Sequence, residues 1–143
     1  MRSPRSRGTR ATGATKPPTA VTERYLGWKL DRAHRAALLA RFPPRYADTV
    51  ADHVTHGRKD RAPALPYARG AIVIGRADDG EGVEALVVEV SGSSDRWDGG
   101  TYHVTWSLAP GREARDSNDV IAARGWEVVS GSPELGLEPA EWP

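Results

Sequence analysis

Apolar and polar positions alternate along much of the chain, and one stretch repeats with helical spacing. Tyr25–Leu30 alternates loosely and ends at Asp31, a competent helix N-cap. Beyond it Ala33, Ala36, Ala37 and Ala40 form a small-residue face that Leu38, Leu39 and Phe42 broaden, predicting a helix from Arg32 to about Arg41 packed on a sheet. Pro43-Pro44 stops it. Tyr46–Thr49 leads into a strand over Val50–Gly57, and Pro63 and Pro66 keep the next segment in a loop. Ala71–Gly75 and Val83–Val90 read as an antiparallel hairpin across Asp78-Asp79-Gly80. The second of these is the most apolar stretch and is expected at the sheet centre. Gly99-Gly100 and Pro110-Gly111 bracket a further strand, Tyr102–Leu108. A short helix over Val120–Ala123, ended by Gly125, and a short last strand over Trp126–Val129 follow. Ser130–Pro143 is rich in Pro, Gly and Glu and is expected to be loosely attached. Strands, a helix, more strands and a short helix make an α+β domain.

Composition sharpens this. A length of 143 residues suits one domain with a real core. Cysteine is absent, which excludes disulfides and thiolate metal sites. No apolar run approaches the roughly 20 residues of a membrane helix, and the basic N-terminus has no apolar run like that of a secretory signal. The expectation is a cytoplasmic protein that does not enter the membrane. The net charge of +1 conceals an asymmetry: residues 1–24 carry six Lys/Arg and one Glu, and residues 25–143 carry fourteen Lys/Arg and eighteen Asp/Glu. Residues 1–24 bury too little apolar surface to offset their ordering entropy, and are expected to be a disordered basic tail. Its Arg2, Arg5, Arg7, Arg10 and Lys16 suit RNA phosphates as well as plain solvation. The domain proper is expected over 25–129, with a loose tail over 130–143.

Two tripeptides carry candidate chemistry. His53-Val54-Thr55 and His103-Val104-Thr105 are copies fifty positions apart, each on an expected strand. Alternate residues of a strand share a face, so each His and Thr point the same way, roughly 6–7 Å apart. Such pairs suit phosphodiester chemistry. One imidazole removes a proton from a nucleophile, a second protonates the leaving oxygen, and the hydroxyls donate to non-bridging oxygens. Alternation also places Ser107 on the face of His103 and Thr105, and directs Tyr102, Val104 and Trp106 into the core. His56 points away from His53 and Thr55, and a metal site built on His53 and His56 lacks a third ligand at a telling spacing. Arg58, Lys59 and Arg61 suit steering of a phosphate or a solvated loop. Trp97 suits base stacking or anchoring of its own loop. Ser117 and Asn118 suit an N-cap or a place near an anion at a helix start. His34 has no assigned role.

Two His-x-Thr motifs in order, on strands with matching flanks, resemble the two-histidine (2H) phosphoesterase superfamily. The likeness covers roughly Tyr25 to Val129. Tyr25–Leu30 with the following Ala/Leu-rich helix is similar to the family's opening strand and helix, and Ala71–Val90 to the element before its second motif. Ser117-Asn118 is similar to a Ser-Asn in the cyclic phosphodiesterase domains of tRNA ligases. The chain also resembles the compact bacterial two-histidine domains of RNA repair. The chain departs from the pattern at His56, where the first motif usually carries an apolar residue, and its body is shorter than many. The resemblance implies a compact two-lobed fold of antiparallel sheets with helices outside and a pseudo-twofold axis. Each lobe would carry one motif on a central strand. It implies His53, Thr55, His103 and Thr105 as catalytic residues, with Ser107, Ser117, Asn118 and Arg58 at the substrate, and neither metal nor cofactor. The implied activity is hydrolysis of a 2',3'-cyclic phosphate at an RNA 3'-end or in a small cyclic nucleotide, by a monomer. A 2'-5' RNA ligase or a non-catalytic nucleotide-binding module would use the same pocket.

Overall fold

Asp31 opens the first helix as its chemistry predicts: its carboxylate accepts the His34 backbone N–H at 2.9 Å. The computed structural model describes residues 23–143, so the basic tail expected over 1–24 lies outside the described residues except for Glu23 and Arg24. In chain order the elements are β1 (Tyr25–Leu30), α1 (Arg32–Arg41), β2 (Asp48–Thr49), β3 (His53–Arg58), β4 (Gly70–Asp78), β5 (Val83–Val90), β6 (His103–Leu108), α2 (Asp116–Arg124), β7 (Glu127–Val128) and β8 (Glu134–Trp142). Among the described residues the fold is α+β, with an antiparallel sheet and two helices. Among the described residues no helix is long and apolar enough to cross a membrane.

The strands follow the path β2-β6-β5-β4-β8-β1-β3, with β7 beside β4. β5 is central and almost wholly buried, as its apolar run predicts. The path curls back on itself. β2 pairs with β6, and Val50 and Ala51 prolong that pairing by donating to the Trp106 and Thr105 carbonyls at 3.0 and 2.9 Å. Two residues later the same chain enters β3 and pairs with β1 at the other end of the path. The turn between the two pairings is made at Ala51, fully buried and held at φ 43°, a left-handed conformation costly for a residue with a Cβ. Two arginines of α1 secure it: Arg35 donates to the Ala51 carbonyl at 2.5 Å and Arg32 to that of Asp52 at 3.3 Å. This closure brings β3 beside β6.

The core is built on Trp28, Val54, Val73, Val88, Val104, Trp106 and Leu135. The Trp106 indole N–H donates to the Phe42 carbonyl at 2.8 Å. Burial of each large apolar side chain is worth about 1.5–3 kcal/mol.

Five expectations need correction. The alanine face of α1 is exposed; only Leu38 of the helix is buried, with Phe42 at its end, because the long side chains and Arg35 alone reach the sheet. The second helix begins at Asp116 rather than Val120, so Ser117 and Asn118 lie inside it and neither caps it. The segment 130–143 is not a loose tail. Glu134–Gly136 pairs with β4 and Leu137–Trp142 with β1, so β8 joins the two parts of the sheet, and Leu135 and Leu137 are buried. Trp126–Val129 is therefore not the last strand. Lastly, β3 stands at the end of the path with β1 as its ladder partner, so the first motif is not on a central strand.

Candidate active site

The curl of the sheet gathers both His-x-Thr pairs into one cleft. His53 and Thr55 of β3 and His103 and Thr105 of β6 line a hollow of about 410 Å³, together with Arg58, Arg96, Asn118 and Trp142. Alternation along each strand does the local work: Val54 and Val104 turn into the core at zero exposure, and the flanking His and Thr turn to the cleft.

The two histidines are held differently. His53 Nδ1 lies 3.1 Å from the Asp52 carboxylate, which also takes the Lys29 ammonium. His103 Nδ1 lies 2.7 Å from the Thr101 carbonyl. A carboxylate and a carbonyl can only accept, so Nδ1 carries the proton in both rings and Nε2 is left for the cleft. Burial pushes His53 below its ordinary pKa, and the hydrogen bond and charge of Asp52 resist that fall. His103 is more deeply buried, and desolvation takes it down to about 4 with only the Thr101 carbonyl in opposition; the charges of Arg96 and His53 add to the fall. Burial pushes the Asp52 carboxyl up, but hydrogen bonds from Lys29 and His53 and their charges outweigh it and hold it at about 2. Asp52 is therefore ionised beside His53 across the whole working range, and His103 has no carboxylate partner.

The other expected residues divide. Asn118 lines the cleft; its carbonyl accepts from Arg96 at 3.1 Å and its amide donates to the Arg115 carbonyl at 3.1 Å. Arg58 also lines it and is paired with Asp60 at 3.0 Å. Such partly exposed pairs are worth about 0–1 kcal/mol, so the Asp60 contact holds the guanidinium only weakly. Ser117 is fully buried and does not face the cleft directly. Its hydroxyl lies 2.9 Å from that of Thr105, which also donates to the Ala114 carbonyl at 3.2 Å. Ser107 is outside the cleft. It is fully buried, donates to Glu84 at 2.6 Å and accepts from the Tyr46 N–H at 3.2 Å. Glu84, equally buried, is completed by Arg76 at 2.7 Å and the Arg45 N–H at 3.0 Å, a closed structural network. Trp97 anchors its loop: its indole N–H donates to the His56 carbonyl at 2.9 Å. Among the described residues no group of three or more His, Asp or Glu gathers as metal ligands.

Three residues escaped sequence reasoning. Asp52 adjoins His53, but neighbours on a regular strand face opposite ways, and their contact depends on the turn at Ala51. Trp142 sits in the segment expected to be loose, yet its ring lies 4.4 Å from that of His53. It rests over Gly27, where an added Cβ would come within 2.7 Å of the indole. Arg96 stands in a polar loop without periodicity; it binds Asp98 at 2.8 Å and bridges to Asn118.

No family model, no curated protein and no solved structure matches this chain.

Proposed function

We propose that the chain is a two-histidine phosphoesterase that opens a 2',3'-cyclic phosphate, at an RNA 3'-end or in a small cyclic nucleotide. The observation that carries the reading is the convergence of two His-x-Thr pairs from separate strands on one cleft, each ring held through Nδ1 by an acceptor. His103, neutral to about pH 4, is suited to take a proton from water. His53, beside an ionised carboxylate, is suited to hold a proton and deliver it from Nε2 to the departing 3'-oxygen. Water forms the new P–O bond as the P–O3' bond breaks, leaving a 2'-phosphate and a 3'-hydroxyl. Thr55 donates to a non-bridging oxygen, where charge grows, and Thr105 donates to another when its single proton turns from the Ala114 carbonyl and its oxygen accepts from Ser117. Imidazoles and hydroxyls of the chain supply each of these steps, and the scheme calls on neither metal nor cofactor.

The two-lobed arrangement belongs to the same reading. Two parts of the sheet meet at β8: one holds β1 and β3, the other β4, β5, β6 and β2, and each contributes one motif. A single chain supplies all four side chains of the proposed reaction, which fits a monomer. The 2'-5' ligase reading uses the same four residues and is separated by whether 2'-5' joined product appears.

Hydrolysis of 2',3'-cyclic nucleotides and of cyclic-phosphate-ended RNA, in EDTA, tests the proposal. Wild type is expected to turn over, and His53→Ala and His103→Ala each to lose about 10²–10⁴-fold. Thr55→Ala and Thr105→Ala are expected to lose about 10²-fold. A folded wild type inert on all of these substrates refutes the hydrolase.

A further inference from the structure

His56 takes no part in this reaction, yet it is 1% exposed and fully partnered. Its Nε2 lies 3.1 Å from the Pro63 carbonyl, which can only accept, so Nε2 carries the proton. Nδ1 is then an acceptor, and the Tyr102 hydroxyl donates to it at 2.9 Å. Trp28 meets both rings edge-on, at 6.0 Å from His56 and 5.8 Å from Tyr102. Trp97 closes over the same residue through the His56 carbonyl.

The position of this pair matters more than its burial. His56 lies three residues beyond His53 on β3, and Tyr102 immediately precedes His103 of β6. The two motif strands share no ladder: β3 pairs with β1, and β6 with β5 and β2. At one end they are joined by the Val50 and Ala51 N–H groups. At the other the side-chain link is His56 to Tyr102, backed by Trp97. We propose that His56 and Tyr102 form a buried clamp that fixes the spacing and register of the two motif strands, and so are positioning residues for His53 and His103. The clamp rests on the two-histidine reading of the cleft. An apolar pair of the same volume would fill the gap but allow the strands to slide. A directional hydrogen bond between two buried rings, with every polar atom satisfied, specifies one register.

Tyr102→Phe tests this, since it keeps the ring and removes only the hydroxyl. On a 2',3'-cyclic nucleotide, kcat is expected to fall about 10- to 100-fold, the cost of misplacing reacting groups by about 1 Å, with KM within about twofold and a cooperative melt retained. Adding His56→Phe to Tyr102→Phe is expected to lower kcat by less than about a further twofold, because the two changes break one link. A kcat within twofold of wild type in Tyr102→Phe, or losses that multiply in the double variant, overturns the clamp.

A second readout does not depend on turnover. His53 adds to the depression of His103 through its charge. In wild type, His53→Gln is expected to move the His103 imidazole NMR titration upward. In a Tyr102→Phe background the same replacement is expected to move it less than half as far. Equal movement in both backgrounds overturns the clamp. An inert wild type that shows the reduced coupling removes the phosphoesterase and retains the clamp.

Discussion

Asp52→Asn tests how the cleft divides the proton work. The carboxylate accepts His53 Nδ1–H at 3.1 Å, and it also serves Lys29 and Arg32. Hydrogen bonds to charged partners are worth about 1.5–3 kcal/mol. Asp52 is about one-third exposed and shared three ways, so about 1 kcal/mol is a fair share for the His53 imidazolium. That equals about 0.7 pH unit. If His103 is the base, kcat/KM rises as it loses its proton through about pH 4. If His53 is the acid, kcat/KM falls as it loses its proton below the ordinary histidine value of 6.5. The wild-type profile is then a bell with its maximum on the acid side of neutrality. An asparagine can still accept from Nδ1–H but carries no charge to stabilise the imidazolium, so the basic limb should move down by about 0.7 unit and cut kcat/KM above it about fivefold. The acid limb should stay. Lys29→Met works in the opposite sense, because the Lys29 charge lowers His53. The assay is the pH dependence of kcat/KM on a 2',3'-cyclic nucleotide. Movement of the acid limb instead, or of neither limb, refutes this division of roles.

Two further outcomes follow from the same groups. His103 falls from 6.5 unfolded to about 4 folded, so the folded state resists its protonation; stability is full above 6.5 and is lost as pH falls toward 4, by about 3 kcal/mol in all. Urea unfolding at pH 7 and pH 4.5 should show a smaller acid loss for His103→Gln than for wild type, and equal losses refute the assignment. Ser117→Ala leaves the Thr105 hydroxyl only the Ala114 carbonyl as a protein partner, which draws its proton away from the cleft. One lost hydrogen bond of about 0.5–1.5 kcal/mol predicts a kcat about 2- to 10-fold lower, and an unchanged kcat shows that Thr105 needs no such support.

What could be read in advance depended on whether the signal was local. β5 was legible because its Ala85–Val88 run is apolar at every position, the pattern of a strand covered on both faces. β8 was not. Its alternation at Leu135 and Leu137 is interrupted by Gly136 and Pro139, and proline argues against an interior strand. Pro139 stands beyond Gly136, where the pairing with β4 has ended and β1 is the remaining neighbour, so the missing N–H does no harm. Ser107 shares the alternation of His103 and Thr105. Only the fold places Glu84 against it, across a register shift between Glu84 and Ala85.

The site shows the same limit in its chemistry. Repetition made four of the side chains that line the cleft visible, since two His-x-Thr copies on strands present the same groups. A repeated tripeptide cannot say how its two copies differ, because each histidine is tuned by a neighbour outside the repeat. Asp52 meets His53 through the strained turn at Ala51, which exists because one segment serves both ends of a curled sheet. Thr101 meets His103 as a plain carbonyl. Identical motifs thereby acquire unequal proton affinities, the difference on which the proposed pairing of an acid with a base relies. Symmetry in the sequence supplied the groups, and asymmetry in the fold gives the two rings unlike surroundings.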